Sequence, residues 1–280
     1  MANETTSTTL DDLLAPMVAE ALFVASEKSI LRGLVRNYKM PKRTGKTVQV
    51  PIYGNVTAAA VAEATDLTNT AVSTSKVDLT VSEVGLMTTV TDFARNTSAS
   101  DVISDVGRLF GEAIARKIDL DISALFDTFS TEVGDGTAVT NAASVFEAIA
   151  NLKANSVPSG DLACVVHPMI AYDLKSSLTS TFGAPASQLG NQAMRDGYIG
   201  SLGGCNVYEH NMANTGNVGD FKGAVFHRDA LGLAVLEDIK IESQRDASMR
   251  ATELVGSATY AVGKLHDSYG VELHGDSTIL

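Results

Sequence analysis

GKTVQVPIYGN at 45–55 and KVDLTVSEVGLMTTVTDFARN at 76–96 are the two stretches that decide how this chain folds. In the first, Val48, Val50 and Ile52 alternate with Gln49, Pro51 and Tyr53; in the second, Val77, Leu79 and Val81 alternate with Asp78, Thr80 and Ser82. Period-two patterning predicts strands. The sequence between them is rich in Ala, Thr and Asn. The pattern predicts a long hairpin with arms at 48–53 and 76–84 and a tip at 54–75. Leu86, Thr88 and Val90 restart the alternation after Gly85, which predicts a bulge or bend there. A two-stranded ribbon alone is marginal in water. A hairpin this long has little beneath it to bury, so another subunit is expected to complete it. The chain reads as one built to assemble.

A helix pattern follows the second strand. In SDVISDVGRLFGEAIARKIDLDISALF at 100–126, Val102, Val106, Leu109, Ala113, Ile118, Ile122 and Leu125 fall on one side. Ile103, Phe110, Ile114 and Phe126 thicken that stripe, and Ser98 or Ser100 is placed to open the helix. Leu109, Ile118 and Ile122 are predicted core residues. Arg108, Glu112 and Arg116 recur every four residues on the outside, a spacing that allows pairing.

Upstream, Thr9 is placed to cap a helix whose apolar stripe runs Leu10, Leu13, Leu14, Met17, Val18, Ala21 and Leu22. A second helical stretch carries Ile30, Leu31, Leu34 and Val35. A basic knot ends this arm: Arg36, Lys39, Lys42, Arg43 and Lys46. Downstream, GDGT at 134–137 reads as a turn. Helix 142–154, strand 162–166, helix 168–178, a short helix near 187–194 and strands at 205–209, 223–227 and 232–236 follow. Residues 238–273 read as strand-rich, and no internal repeat is visible.

Composition bounds the function. A net charge of −12 with no cationic run argues against a sequence-reading nucleic-acid binder, whose phosphate contacts need clustered cations. It leaves open a container for DNA. Two cysteines, Cys164 and Cys205, form no disulfide framework and suit a reducing compartment. The polar, acidic start MANETTSTTLDD is unlike a signal peptide, and no apolar run reaches the length of a membrane span.

The motifs that imitate chemistry fail on their context. Gly45-Lys46-Thr47 resembles the end of a phosphate loop, but Met40 stands where the first glycine belongs and a strand follows instead of a helix. Cys164 and His167 are read as a buried strand cysteine and a helix-start histidine. His210, His227, His266 and His274 are scattered, and Asp119 and Asp121 are two apart on a helix and face different ways. Gly200, Gly203 and Gly204 lack the strand and helix of a dinucleotide site. Asn55 and Asn96 sit in glycosylation sequons by pattern only. No catalytic constellation, cofactor site or metal site emerges, and the chain is not read as an enzyme.

The order of these elements resembles the major capsid proteins of tailed phages, of the Hong Kong 97 type. Four stretches carry the resemblance: GKTVQVPIYGN, the strand from Lys76, the helix 100–126, and the last strands GAVFHRDALGLAV at 223–235 with QRDASMRATELVGSATYAVGKLHDSYGVEL at 244–273. It covers nearly the whole chain from about residue 10. It implies an α+β fold with an N-terminal arm at 1–40 and an extended loop, the β-hairpin, at 41–84. It also implies a peripheral domain at 85–133 and 236–280 around a long spine helix, and an axial domain at 134–235.

The implied function is an icosahedral shell, assembled in the host cytoplasm, that encloses a double-stranded DNA genome in the virion. The implied partners are other copies, as hexamers and pentamers, scaffolding, portal and decoration proteins, and DNA contacted non-specifically, with no membrane. Charge points to an inter-subunit contact from Arg36, Lys39, Lys42, Arg43 and Lys46 to acids such as Glu63 and Asp66 or to the spine helix. Some capsids of this type weld subunits from a lysine on the extended loop to a neighbour's asparagine; residues 54–75 contain no lysine, so a non-covalent shell is expected. Two other classes stay open: an encapsulin-like nanocompartment shell, and an α/β enzyme built on 134–235.

Overall fold

The computed structural model describes residues 29–43, 45–54, 56–58, 60–63, 66, 69–98, 102–181, 201–211 and 220–279. The predicted helix at 10–22 and the short helix near 187–194 lie outside these. In chain order the elements are α1 (Leu31–Leu34), β1 (Arg36–Lys39), β2 (Thr47–Tyr53), β3 (Thr74–Thr80), β4 (Ser82–Thr91), α2 (Asp92–Thr97) and α3 (Val102–Ser123). Then come β5 (Glu132–Val133), α4 (Ala142–Ala154), β6 (Leu162–Val166), α5 (Pro168–Thr181), β7 (Ser201–Leu202) and β8 (Cys205–Glu209). The chain finishes with β9 (Asp220–His227), β10 (Leu231–Asp246), β11 (Ala251–Lys264) and β12 (Gly270–Asp276).

Among the described residues these strands make three sheets, in the orders β1-β10-β11-β4, β5-β12-β9-β6-β8-β7 and β2-β3. The first is dominated by the β10–β11 ribbon, with β4 antiparallel on one edge and β1 parallel on the other. Register shifts between Val235 and Lys240 bend β10.

The spine helix α3 lies on this sheet. Phe110, Ile114, Ile118 and Ile122 recur every four residues, stack on one face and continue into Phe126. A Cβ on Gly256 would come within 2.7 Å of the Phe110 ring, so the glycine in β11 is what lets the helix approach. Its described part has 22 residues, a length of roughly 33 Å; of the two predicted openings, Ser98 closes α2 instead and Ser100 lies outside the described residues. Its buried face also differs from the predicted one. Leu109 is 56% exposed and Ala113 is exposed, because the helix turns Phe110 and Ile114 inward and leaves their neighbours on the far side.

The six-stranded sheet is covered on both faces, and β6 shows why its sequence LACVV is apolar throughout. Ala163 and Val165 join Phe126, Phe226 and the spine cluster, while Leu162, Cys164 and Val166 pack with α4 and α5. Helix α4 begins where predicted because the Asn141 side chain accepts from the amides of Ala143 (2.9 Å) and Ser144 (3.2 Å). In the predicted 134–137 turn, Gly134 has φ 96° and Gly136 φ 76°. A Cβ at Gly134 would fall 2.0 Å from the His274 carbonyl oxygen, so only glycine fits.

The hairpin forms as predicted, in the register Val48↔Leu79 and Tyr53↔Thr74. Two details differ from expectation. The bend comes at Val81, not Gly85: Val81 donates its amide to the Lys46 carbonyl (2.9 Å), and β4 runs unbroken through Gly85 in the other sheet. The root of the hairpin also has its own core. Val50, Leu79 and Val81 are buried with Met40, Ala234, Ala261 and Leu265, and Leu79 fills the space a side chain at Gly263 would take. Two pairings link segments that the resemblance assigns to different domains. Strand β10 runs across the 235/236 boundary, and β12, from the segment 236–280, lies between β5 and β9 in the six-stranded sheet.

Candidate assembly surface

Beyond its root the hairpin leaves the core. Tyr53 is 66% exposed, and Val56, Val61 and Val72 are exposed as well. Alternation along β2 explains the root: Val48, Val50 and Ile52 turn inward and Thr47, Gln49, Pro51 and Tyr53 outward. Past Tyr53 no further strand among the described residues backs the ribbon, and its described apolar side chains are exposed. Glu63 and Asp66 are both exposed on this tip.

The basic residues of the arm separate into two sets. Arg36 donates to Asp229 (2.8 Å) and lies over the Tyr38 ring (5.8 Å), and Lys42 pairs with Glu237 (2.6 Å). The Asp229 carboxylate pushes the Arg36 guanidinium further up, and Lys42 holds the Glu237 carboxyl below its usual range. These two cations are already used inside their own chain. Lys39, Arg43 and Lys46 are exposed and pair with no acid among the described residues. Arg43 has φ 69°, the left-handed backbone of a tight turn. No basic residue of the arm meets Glu63 or Asp66 within the subunit among the described residues.

Sequence reasoning missed the polar node that seats the arm. Asp119, 2% exposed on α3, accepts from Ser29 Oγ (2.6 Å) and the Ile30 amide (3.2 Å), and lies 3.1 Å from His210 Nε2. The signal was present: Asp119 follows Ile118 and precedes Ile122 by three, at the border of the buried face. Asp121, two residues on, turns elsewhere and accepts from Tyr260 Oη (2.7 Å) and Lys117 (2.6 Å). A cavity of about 300 Å³ adjoins the node, lined by Ile30, Glu112, Arg116, Asp119, Glu209, His210 and Asn211. Asp173 on α5 plays a similar part at the other end of the chain, accepting from Ser277 Oγ (2.8 Å) and the Thr278 amide (2.9 Å).

The remaining clusters have structural roles. Ligand atoms of Glu132, Glu272 and His274 lie within 4.8 Å of one another, but Lys222 pairs with Glu272 at 3.1 Å and also with Asp127, which supplies the counter-charge. Burial raises Glu272 despite that lysine. Cys164 and Cys205 are both buried, and burial pushes the Cys205 thiol up to about 12 and Cys164 well above its usual value, so neither is a ready nucleophile. His167 stacks on Phe221 with ring centres 4.1 Å apart and accepts from the Met169 amide (3.3 Å) at the start of α5, the role predicted for it. No helix among the described residues is long and apolar enough to cross a membrane.

Comparison with known proteins bears on the family and the fold. A family model described as "Phage capsid protein" matches residues 72–272. The chain belongs to the phage capsid protein family. It is a major capsid protein, a structural subunit of a phage shell. Its fold is the Hong Kong 97-type α+β fold. The capsid structure of cyanophage P-SCSP1u is 20% identical, with a TM-score of 0.70 over 89% of each chain. Mycobacterium phage Che8 is 22% identical, with a TM-score of 0.72 over 88% of this chain and 90% of that one. A virus-like particle from Pyrococcus furiosus is 10% identical, with a TM-score of 0.63 over 93% of this chain and 98% of that one. No curated protein sequence matches it.

Proposed function

We propose that this capsid protein closes its shell as hexamers and pentamers held together by the hairpin. The distal hairpin carries the reading: Tyr53, Val56, Val61 and Val72 are apolar, exposed and outside the core clusters of the described residues. Exposed apolar surface of this kind marks a contact. A neighbouring copy supplies the missing cover, while Lys39, Arg43 and Lys46 meet acids of another copy, with Glu63 and Asp66 the nearest candidates by charge. The sheet of β1, β10, β11 and β4 with α3 forms the peripheral unit. The six-stranded sheet with α4 and α5 forms the axial unit near the capsomer centre. The shell encloses double-stranded DNA without reading its sequence, which suits a subunit of charge −12. It assembles in the host cytoplasm with scaffolding, portal and decoration proteins.

The test is to replace residues 54–73 by a two-residue Asn-Gly turn joining Tyr53 to Thr74, which face each other in the ladder. The subunit keeps its fold, because the root cluster is untouched. Electron microscopy of the expressed chain is expected to show shells for the parent and none for the variant. Intact particles from the variant overturn the role given to the hairpin.

A further inference from the structure

Strand β4 has ten residues, lies at one end of the sheet β1-β10-β11-β4 and pairs only with β11 among the described strands. Its ladder runs without a register shift, so residues that bond to β11 alternate with residues that do not. The phase is set by Asp92, next in line, whose amide donates to the Arg250 carbonyl (2.9 Å). Val84, Leu86, Thr88 and Val90 share that phase and turn their backbone groups toward β11. The amides and carbonyls of Glu83, Gly85, Met87, Thr89 and Thr91 therefore point off the edge of the sheet, and all of these residues are exposed.

An open edge invites another strand, and folded chains guard theirs with charge, proline, bulges or shortness. The other sheet edges among the described residues are guarded in this way. Strand β1 has four residues and carries Arg36 and Lys39, and β5 and β7 have two residues each. Strand β2 sets Pro51 in its ladder, and β3 carries Lys76 and Asp78. Strand β4 has no proline and no bulge, and Glu83 is its one charged residue. On its inner side Val84, Leu86 and Val90 pack against the spine cluster, which holds the edge in place.

We propose that β4 pairs antiparallel with β4 of a second copy, about a two-fold axis at Met87, and so joins two four-stranded sheets into one. The occupant follows from the edge itself. Outward groups belong to odd-numbered residues alone, so in a symmetric pair odd meets odd. Centring the pair on Met87 engages every one of them: Met87 faces its own counterpart, Gly85 faces Thr89, and Glu83 faces Thr91. No charge meets a like charge across this ladder, as β1 or β3 edges would bring about if each met its own copy less exactly in register. A strand that pairs with itself needs no second complementary surface, and a two-fold supplies that isologous contact. Its place at a two-fold of a closed shell rests on the reading above; the pairing itself does not.

Met87 is 61% exposed, so Met87→Cys leaves the packing of the subunit intact. In the proposed ladder the two Cα atoms at this position lie about 5.5 Å apart, within reach of a disulfide. Copies of Thr89→Cys lie roughly 14 Å apart along the strands and copies of Thr91→Cys or Glu83→Cys roughly 27 Å, beyond that reach. Cys164 and Cys205 are buried and add no background. The full-length chain, as expressed, is oxidised and run on a non-reducing denaturing gel, and the same sample is imaged by electron microscopy. Met87→Cys is expected to give a dimer band that reductant removes, and the three other single variants none. The double variant Glu83→Cys with Thr91→Cys is expected to dimerise where neither single variant does. A Met87→Cys dimer that is absent, or no stronger than the Thr89→Cys dimer, overturns the proposal whether or not shells are seen. Shells without the dimer leave the hairpin reading standing, and the dimer without shells supports the strand contact while counting against that reading.

Discussion

Two leucine-sized positions on the spine helix show how finely burial is decided by phase. Ile118 is 4% exposed and touches the sheet side, while Leu109 points to solvent. Ile118→Ala removes buried methylene groups and leaves a cavity, at a cost of about 2–5 kcal/mol. Leu109→Ala is expected to change the stability of the isolated subunit by no more than about 0.5 kcal/mol. Urea unfolding of unassembled subunits distinguishes them, and a neutral Ile118→Ala would contradict the packing described here. Leu109 was legible as apolar and helical but not as exposed. A 22-residue helix with alanines and leucines on both sides has more than one plausible apolar stripe. What selects among them is Gly256, nearly 150 residues away, which admits the Phe110 ring and fixes the rotation.

At the scale of elements, the boundaries that the sequence marked chemically came out where they were read. Helix 142–154 begins at its Asn141 cap, strands 162–166 and 205–209 are bounded by turn residues, and the hairpin arms alternate strictly. The bend at Val81 was not legible, because a valine continues a strand pattern as well as it ends one. What turns the chain there is the Lys46 carbonyl, brought by the partner strand. The candidate contact residues were legible as a charge cluster but not in their partners. Arg36 and Lys42 are neutralised by Asp229 and Glu237, which lie nearly 200 residues further on. This narrows the charge test to the three cations with no described partner. Lys39→Glu, Arg43→Glu and Lys46→Glu together are expected to slow assembly strongly at low salt and only slightly at high salt, since exposed charges are screened beyond roughly 10 Å at 0.1 M ionic strength. Light scattering across a salt series measures this. Equal assembly of parent and variant at low salt would place the contact elsewhere.

For the whole molecule, the question is what keeps a closed shell of acidic subunits together once it has formed. Each exposed ion pair contributes only about 0–1 kcal/mol, but symmetry repeats it in every subunit, and the apolar hairpin surface adds a term that salt does not weaken. A covalent weld between subunits needs an uncharged lysine amine held against an amide carbon, with a carboxylate nearby to take the proton. Burial makes a lysine uncharged. The hairpin tip offers none: residues 54–75 contain no lysine, and Lys76, the third residue of β3, is exposed and paired with Asp78 at 3.6 Å. Lys42 and Lys46, at the root, are exposed too, so their own subunit does not bury either amine. The shell is therefore expected to be held non-covalently, by interlocked loops and arms and by accessory proteins. Mature particles boiled in detergent and reductant should run as a single band at the subunit mass of 29.3 kDa. A ladder of multimers surviving that treatment would refute this, and a Lys76→Arg variant that abolishes the ladder would identify the residue responsible.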